Sequence, residues 1–181
     1  MKTWISILRG INVGGRNAVK MDALRNLYVD LGFSDVQSYI QSGNVIFKSD
    51  SIDSQLIKIL ISAEIKKSFG IEVYVSVIDM EKFRNILKNN PFRGDTTKDP
   101  AFLHITFLSE KPDKTLIDKI SSRNYAHDEF YIGEKVIYLY CPSGYGNTKL
   151  NNTFFETKLK LTATTRNLKT SNELLAMAEK L

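Results

Sequence analysis

Thr3-Trp4-Ile5-Ser6-Ile7-Leu8-Arg9-Gly10-Ile11-Asn12-Val13-Gly14-Gly15 is the stretch on which the fold turns. Its first six residues form a β-rich apolar run closed by a glycine-containing loop, the pattern of a buried strand. The loop is expected to lead into a helix, because Met21, Leu24, Tyr28 and Leu31 recur at helical spacing and Gly32 sits where a helix ends. Val36 to Ile40 and Val45 to Phe47 read as a hairpin around Gln41-Ser42-Gly43-Asn44. Asp53 is positioned to cap a long helix whose apolar residues include Leu56, Leu60, Ala63 and Ile65, with Gly70 beyond its end. Glu72 to Ile78 completes the set as a strand rich in β-branched residues. The order is β-α-β-β-α-β, so residues 1–79 are expected to form a ferredoxin-like domain.

A second α+β domain is expected over residues 80–181, joined by a connecting helix over 79–89 that Asp79 caps and Asn89-Asn90-Pro91 ends. The polar run Arg93 to Pro100 reads as a loop. Strand Phe102 to Leu108, a helix from Pro112 to Ser121 and strands Phe130–Ile132 and Val136–Tyr140 follow, then a helix carrying Leu150, Phe154 and Leu159. This β-α-β-β-α unit is followed by a short extended piece, Leu161 to Thr165. A C-terminal helix carries Leu174, Leu175 and Ala178, with capping-box spacing between Thr170 and Glu173.

Composition narrows the function classes. The 181 residues, 43% hydrophobic and 25% charged, suit a globular protein with a real core. The net charge of +5 comes from dispersed lysines, permitting an anionic partner without requiring one. Cys141 is the only cysteine, which excludes an intrachain disulfide, and His104 and His127 are the only histidines, so no ligand-spaced metal cluster exists. Trp4 to Leu8 is too short for a signal sequence and no segment approaches membrane-spanning length, so a cytoplasmic protein away from the membrane is expected.

In a ferredoxin-like sheet of order 4-1-3-2 the first loop and the hairpin turn emerge at the same end. Arg9, Gly10, Asn12, Gly14 and Gly15 should therefore approach Gln41, Ser42 and Asn44. Glycine-rich backbone amides at a helix N-terminus attract anions. Arg9 adds a planar charged fork, while the amide and hydroxyl groups set orientation. The expected ligand is a small phosphorylated or carboxylated compound, with no cofactor. The second domain is expected to contribute Tyr145, Lys149, Arg166 and Asn167, with Asn147 capping a helix that has Lys149 in its first turn.

Gly10 to Asn17 imitates a phosphate-binding P-loop, but Arg16 and Asn17 replace its lysine and hydroxyl residue, which excludes an ATPase of that class. The glycine spacing also fails the dinucleotide fingerprint. Ser42 has no histidine base in its own domain, so no Ser-His triad forms, and the residues assign no reaction. Two other readings compete. Nucleic acid could stack on Trp4 and Phe47 of the sheet face, although the third strand lacks the basic-glycine-aromatic signature. A structural or partner-binding module is the other; oligomeric state is open.

Leu8 to Gly15, Tyr39 to Phe47, Tyr145 to Leu150 and Thr164 to Asn167 together resemble a bacterial family catalogued as domain of unknown function 1697. The resemblance implies a two-part α+β protein with a ferredoxin-like N-terminal unit, and no catalytic residues. Leu168 stands where members of that family often carry tryptophan after the Arg-Asn pair.

Overall fold

Strand β1 (Lys2–Leu8) lies at the centre of the first sheet because every side chain from Trp4 to Leu8 is buried, and only an interior strand can bury both faces. It pairs antiparallel with β3 (Asn44–Ser49) on one side and β4 (Val75–Asp79) on the other, placing Trp4 opposite Phe47 and Leu8 opposite Val75. Strand β2 (Ser34–Tyr39) completes the order β2-β3-β1-β4. This is the expected strand order. The fourth strand begins at Val75, three residues later than predicted.

A computed structural model describes residues 1–181. The chain divides into Met1–Asn85 with Glu173–Leu181, and Ile86–Asn172. The division falls inside the connecting helix α3 (Met80–Lys88), beyond the boundary expected at residue 79, and assigns the chain's C-terminal end to the first unit.

Two helices cover one face of the first sheet. Helix α1 (Met21–Asp30) buries Met21, Leu24, Leu27 and Tyr28. Helix α2 (Ser54–Phe69) starts at Asp53, whose carboxylate accepts from the Gln55 and Leu56 amides, and ends at Gly70. Of the residues that mark α2 in sequence only Ile65 is buried; Ile57 and Ile61 join it, while Leu56 and Leu60 face solvent. The helix is apolar on two sides, so spacing alone does not select the side that packs. Tyr28, Phe33 and Phe47 form an aromatic cluster with ring centroids 4.7–6.0 Å apart. The Tyr28 hydroxyl lies 2.8 Å from Ser6 Oγ, and burial pushes its pKa far above the usual tyrosine value.

The second unit has the same topology. Strands β5 (Leu103–Leu108), β6 (Glu129–Ile132), β7 (Val136–Tyr140) and β8 (Ala163–Asn167) form a sheet of order β6-β7-β5-β8. The extended piece expected at 161–165 is thus a fourth strand, pairing Thr106 with Thr165 and Leu108 with Ala163. Helix α4 (Lys114–Ser121) is capped by Asp113 and α5 (Asn152–Leu159) by Asn151. They cover a core built on Ile120, Ile137, Leu139, Cys141, Leu150, Phe155 and Leu159. The last helix, α6 (Leu168–Glu179), follows β8 directly. Asn167 caps it by accepting from the Thr170 amide at 2.7 Å, so Thr170 lies inside the first turn and is not the cap. No helix is long and apolar enough to cross a membrane.

Candidate functional site

The β1–α1 loop and the β2–β3 turn meet at one end of the first sheet. The Leu8 amide donates to the Gly43 carbonyl at 2.8 Å, carrying the β1–β3 ladder into the turn. The approach is close enough to demand glycine: a Cβ on residue 43 would lie 2.8 Å from Leu8 Cβ and 3.1 Å from Ile11 Cβ, at a φ of +70°. Ile11 is buried in the core beneath.

Asn12 clamps the two segments together. Its amide nitrogen donates to the Gln41 carbonyl at 2.8 Å and the Val19 carbonyl at 2.9 Å, and its carbonyl accepts from the Val19 amide at 2.8 Å. Both amide N–H bonds are therefore engaged within the protein. Asn44 is fully buried, and its amide donates to the Tyr39 carbonyl at 3.2 Å and Ser42 Oγ at 2.9 Å. Asn17 closes the loop from the far side through Gly10, and the Asn12 amide donates to the Asn17 carbonyl at 3.1 Å. These asparagines brace backbone, the role sequence reasoning set against direct ligand contact.

Arg9 stands where β1 leaves the sheet, its amide donating to the Tyr74 carbonyl at 2.9 Å, so the segment before β4 reaches this end as well. Gly14 and Gly15 lie further out, at the exposed tip of a small hairpin closed by the Arg16 amide on the Val13 carbonyl at 3.0 Å. Helix α1 begins only at Met21, so the expected placement of these glycines at a helix N-terminus is corrected: their amides act without a helix dipole behind them. Neither glycine would meet a neighbour within 4 Å if given a Cβ, so turn geometry and not close approach selects them, at φ values of +58° and +75°. Asp22 sits in the first turn of α1 and pairs with Arg25.

Three of the residues expected from the second unit lie close together, since His104 pairs with Asn167 across β5 and β8 and Tyr145 is near enough to Arg166 to act on its charge, whereas Lys149 stands apart. Asn147 is not a helix cap; its amide donates to the Ser143 carbonyl at 2.7 Å, and Lys149 is exposed in the loop before α5. The Tyr145 ring stacks on His104 at 4.8 Å. His104 Nδ1 lies 3.1 Å from the Phe102 carbonyl, and burial lowers its pKa. Arg166 lies on β8 opposite Ile105, donates to Thr164 Oγ1 at 3.1 Å and the Thr165 carbonyl at 2.9 Å, and burial lowers its pKa to about 10. Sequence reasoning passed over a second feature of this unit, an open cleft of about 630 Å³ lined in part by Arg123, Tyr125 and Asp128. Its polar residues come from two runs, 121–125 and 128–131, which lead from the end of α4 into β6, and carry no motif that marks them.

Trp4 and Phe47, the stacking platform that sheet-face binding of nucleic acid would need, are 2% and 0% exposed in the core under α1 and α2. Ile5, Ile7 and Ile46 on the other face are fully buried too. Bases have no exposed aromatic surface on these two strands. No cluster of three or more histidine, cysteine or acidic side chains arranged to hold a metal ion is present.

Known proteins agree with this architecture. The chain aligns with the structure of a conserved bacterial protein from Streptococcus pneumoniae, with 28% identity, a TM-score of 0.73 and 98% of each chain covered. No curated protein matches significantly. The family described as "Protein of unknown function (DUF1697)" matches residues 1–138, which contain both the β1–α1 loop and the β2–β3 turn, and the chain belongs to that family.

Proposed function

We propose that the rim formed by residues 9–17 and 40–44 binds a small organic anion, phosphorylated or carboxylated. The observation that carries this reading is the crowding of left-handed backbone. Gly10, Asn12, Gly14, Gly15 and Asn17 all have positive φ within eight residues, and Ile40 on the facing turn has φ +50°. A β-branched residue is a true outlier there, and strain of this kind costs about 1–3 kcal/mol per site and gathers where a ligand is held. Backbone amides presented in succession by such loops form concavities that accept anions.

Arg9 supplies the charge at the base of the loop and Gln41, exposed at the turn, orients the ligand. Asn12 and Asn44 hold the two segments in register from within. Val13 and Ile40, 60% and 51% exposed, add an apolar edge suited to the organic body of the ligand. The test is a thermal-shift screen of nucleotides, sugar phosphates and dicarboxylates on the wild type, Arg9→Ala and Gln41→Ala. A compound that binds only the folded state raises the melting temperature of the wild type. The reading expects that rise to shrink in both variants. No rise with any compound, or equal rises in all three proteins, overturns it.

A further inference from the structure

Helix α2 carries a second apolar face that the fold leaves in water. Opposite the buried row Ile57, Ile61 and Ile65, Leu56 is 48%, Ile59 62% and Leu60 41% exposed, and Ala63 is exposed. Ile52, just ahead of the helix, is 75% exposed. Positions 56, 59, 60 and 63 fall on one side of the helix and make a continuous stripe, and Ile52 lies in the segment that leads into it. Contiguous exposed aliphatic surface of this kind marks an interaction site.

The stripe is complementary to itself. Laid antiparallel on a second copy and centred between Ile59 and Leu60, it sets Ile59 of one copy against Leu60 of the other. Leu56 then meets Ala63, a large side chain against a small one. At each end Asp53, ahead of the first turn, meets Lys66 in the last turn. A parallel arrangement would instead place Asp53 on Asp53 and Lys66 on Lys66, like charge on like. Lys66 already pairs with Glu72 at 2.5 Å and Lys67 with Glu64 at 3.2 Å, but these side chains are largely exposed except Glu64, and such surface pairs exchange at little cost.

We infer that α2 is the interface of a twofold-symmetric homodimer in which the two helices pack antiparallel. A twofold axis requires one patch to recognise itself, and this stripe does so in shape, apolarity and charge. The 16 residues of α2 span about 24 Å, so a single helix pair makes a small contact, of the kind that gives a weak, reversible dimer.

Sedimentation velocity on the full chain over a wide range of concentration tests this. The expected result is a concentration-dependent monomer–dimer equilibrium that Ile59→Glu abolishes, while the melting temperature measured at dilutions where the wild type is monomeric stays unchanged, since Ile59 lies outside the core. Orientation is read by disulfide trapping, for which the native Cys141 is buried and silent. A mixture of Leu56→Cys and Ala63→Cys chains should cross-link faster than either variant alone. A chain that stays monomeric throughout, a dimer indifferent to Ile59→Glu, or trapping fastest between identical variants overturns the inference.

Discussion

The side-chain amide of Asn12 donates to the backbone carbonyl of Gln41 at 2.8 Å, across 29 residues of chain, and so makes one rim of two separate turns. The same amide also holds the Val19 carbonyl, while its oxygen takes the Val19 amide. Asn12→Ala leaves these backbone groups without their partner, and the expected cost is about 1–3 kcal/mol of stability. Asn12→Asp keeps the acceptor and loses both donors, so it should fall closer to Ala than to the wild type. Urea unfolding of the three proteins measures this; an Ala variant as stable as the wild type would show that the clamp contributes nothing.

Two glycines of the rim should respond differently to the same substitution. Gly14→Ala meets only the strain of a left-handed alanine, about 1–2 kcal/mol, because no atom lies within 4 Å of the new methyl group. Gly43→Ala adds a methyl group 2.8 Å from Leu8 Cβ to similar strain, and about 2–5 kcal/mol is expected. Equal losses in the two variants would contradict the close approach of turn and strand.

Much of the first unit was legible because its signals are local. The apolar run Trp4 to Leu8, the Asp53 cap and the hairpin around Gly43 each fix an element by themselves, and strand order then brings the two polar turns together. What stayed hidden depends on partners distant in sequence. Ala163 to Asn167 is too polar to declare itself a sheet strand, and its place in the sheet is set only by pairing with β5. The packed side of α2 was ambiguous because Leu56 and Leu60 are as apolar as Ile57 and Ile61. The role of Asn12 was ambiguous for another reason: asparagine serves a ligand and a backbone clamp with the same groups, and only the position of Gln41 and Val19 decides.

His104 gives the protein a pH response of definite sign. Burial lowers its folded pKa below the unfolded value of about 6.5, so the unfolded chain takes up the proton first as pH falls. The stability it contributes is complete above that unfolded value and declines as pH drops toward the folded pKa. His104→Phe keeps the stacking on Tyr145 and removes the titration. Urea midpoints between neutral and mildly acidic pH should fall more steeply for the wild type than for this variant; parallel curves would contradict the assignment.

The most direct measurement of the rim as an anion site is an amide chemical-shift titration of the folded protein with inorganic pyrophosphate and with a dicarboxylate. Binding at the rim predicts saturable shifts concentrated at Gly14, Gly15, Arg16 and Gln41 and attenuated in Arg9→Ala. Shifts that do not saturate, or that follow the exposed lysines over the whole surface, would contradict it.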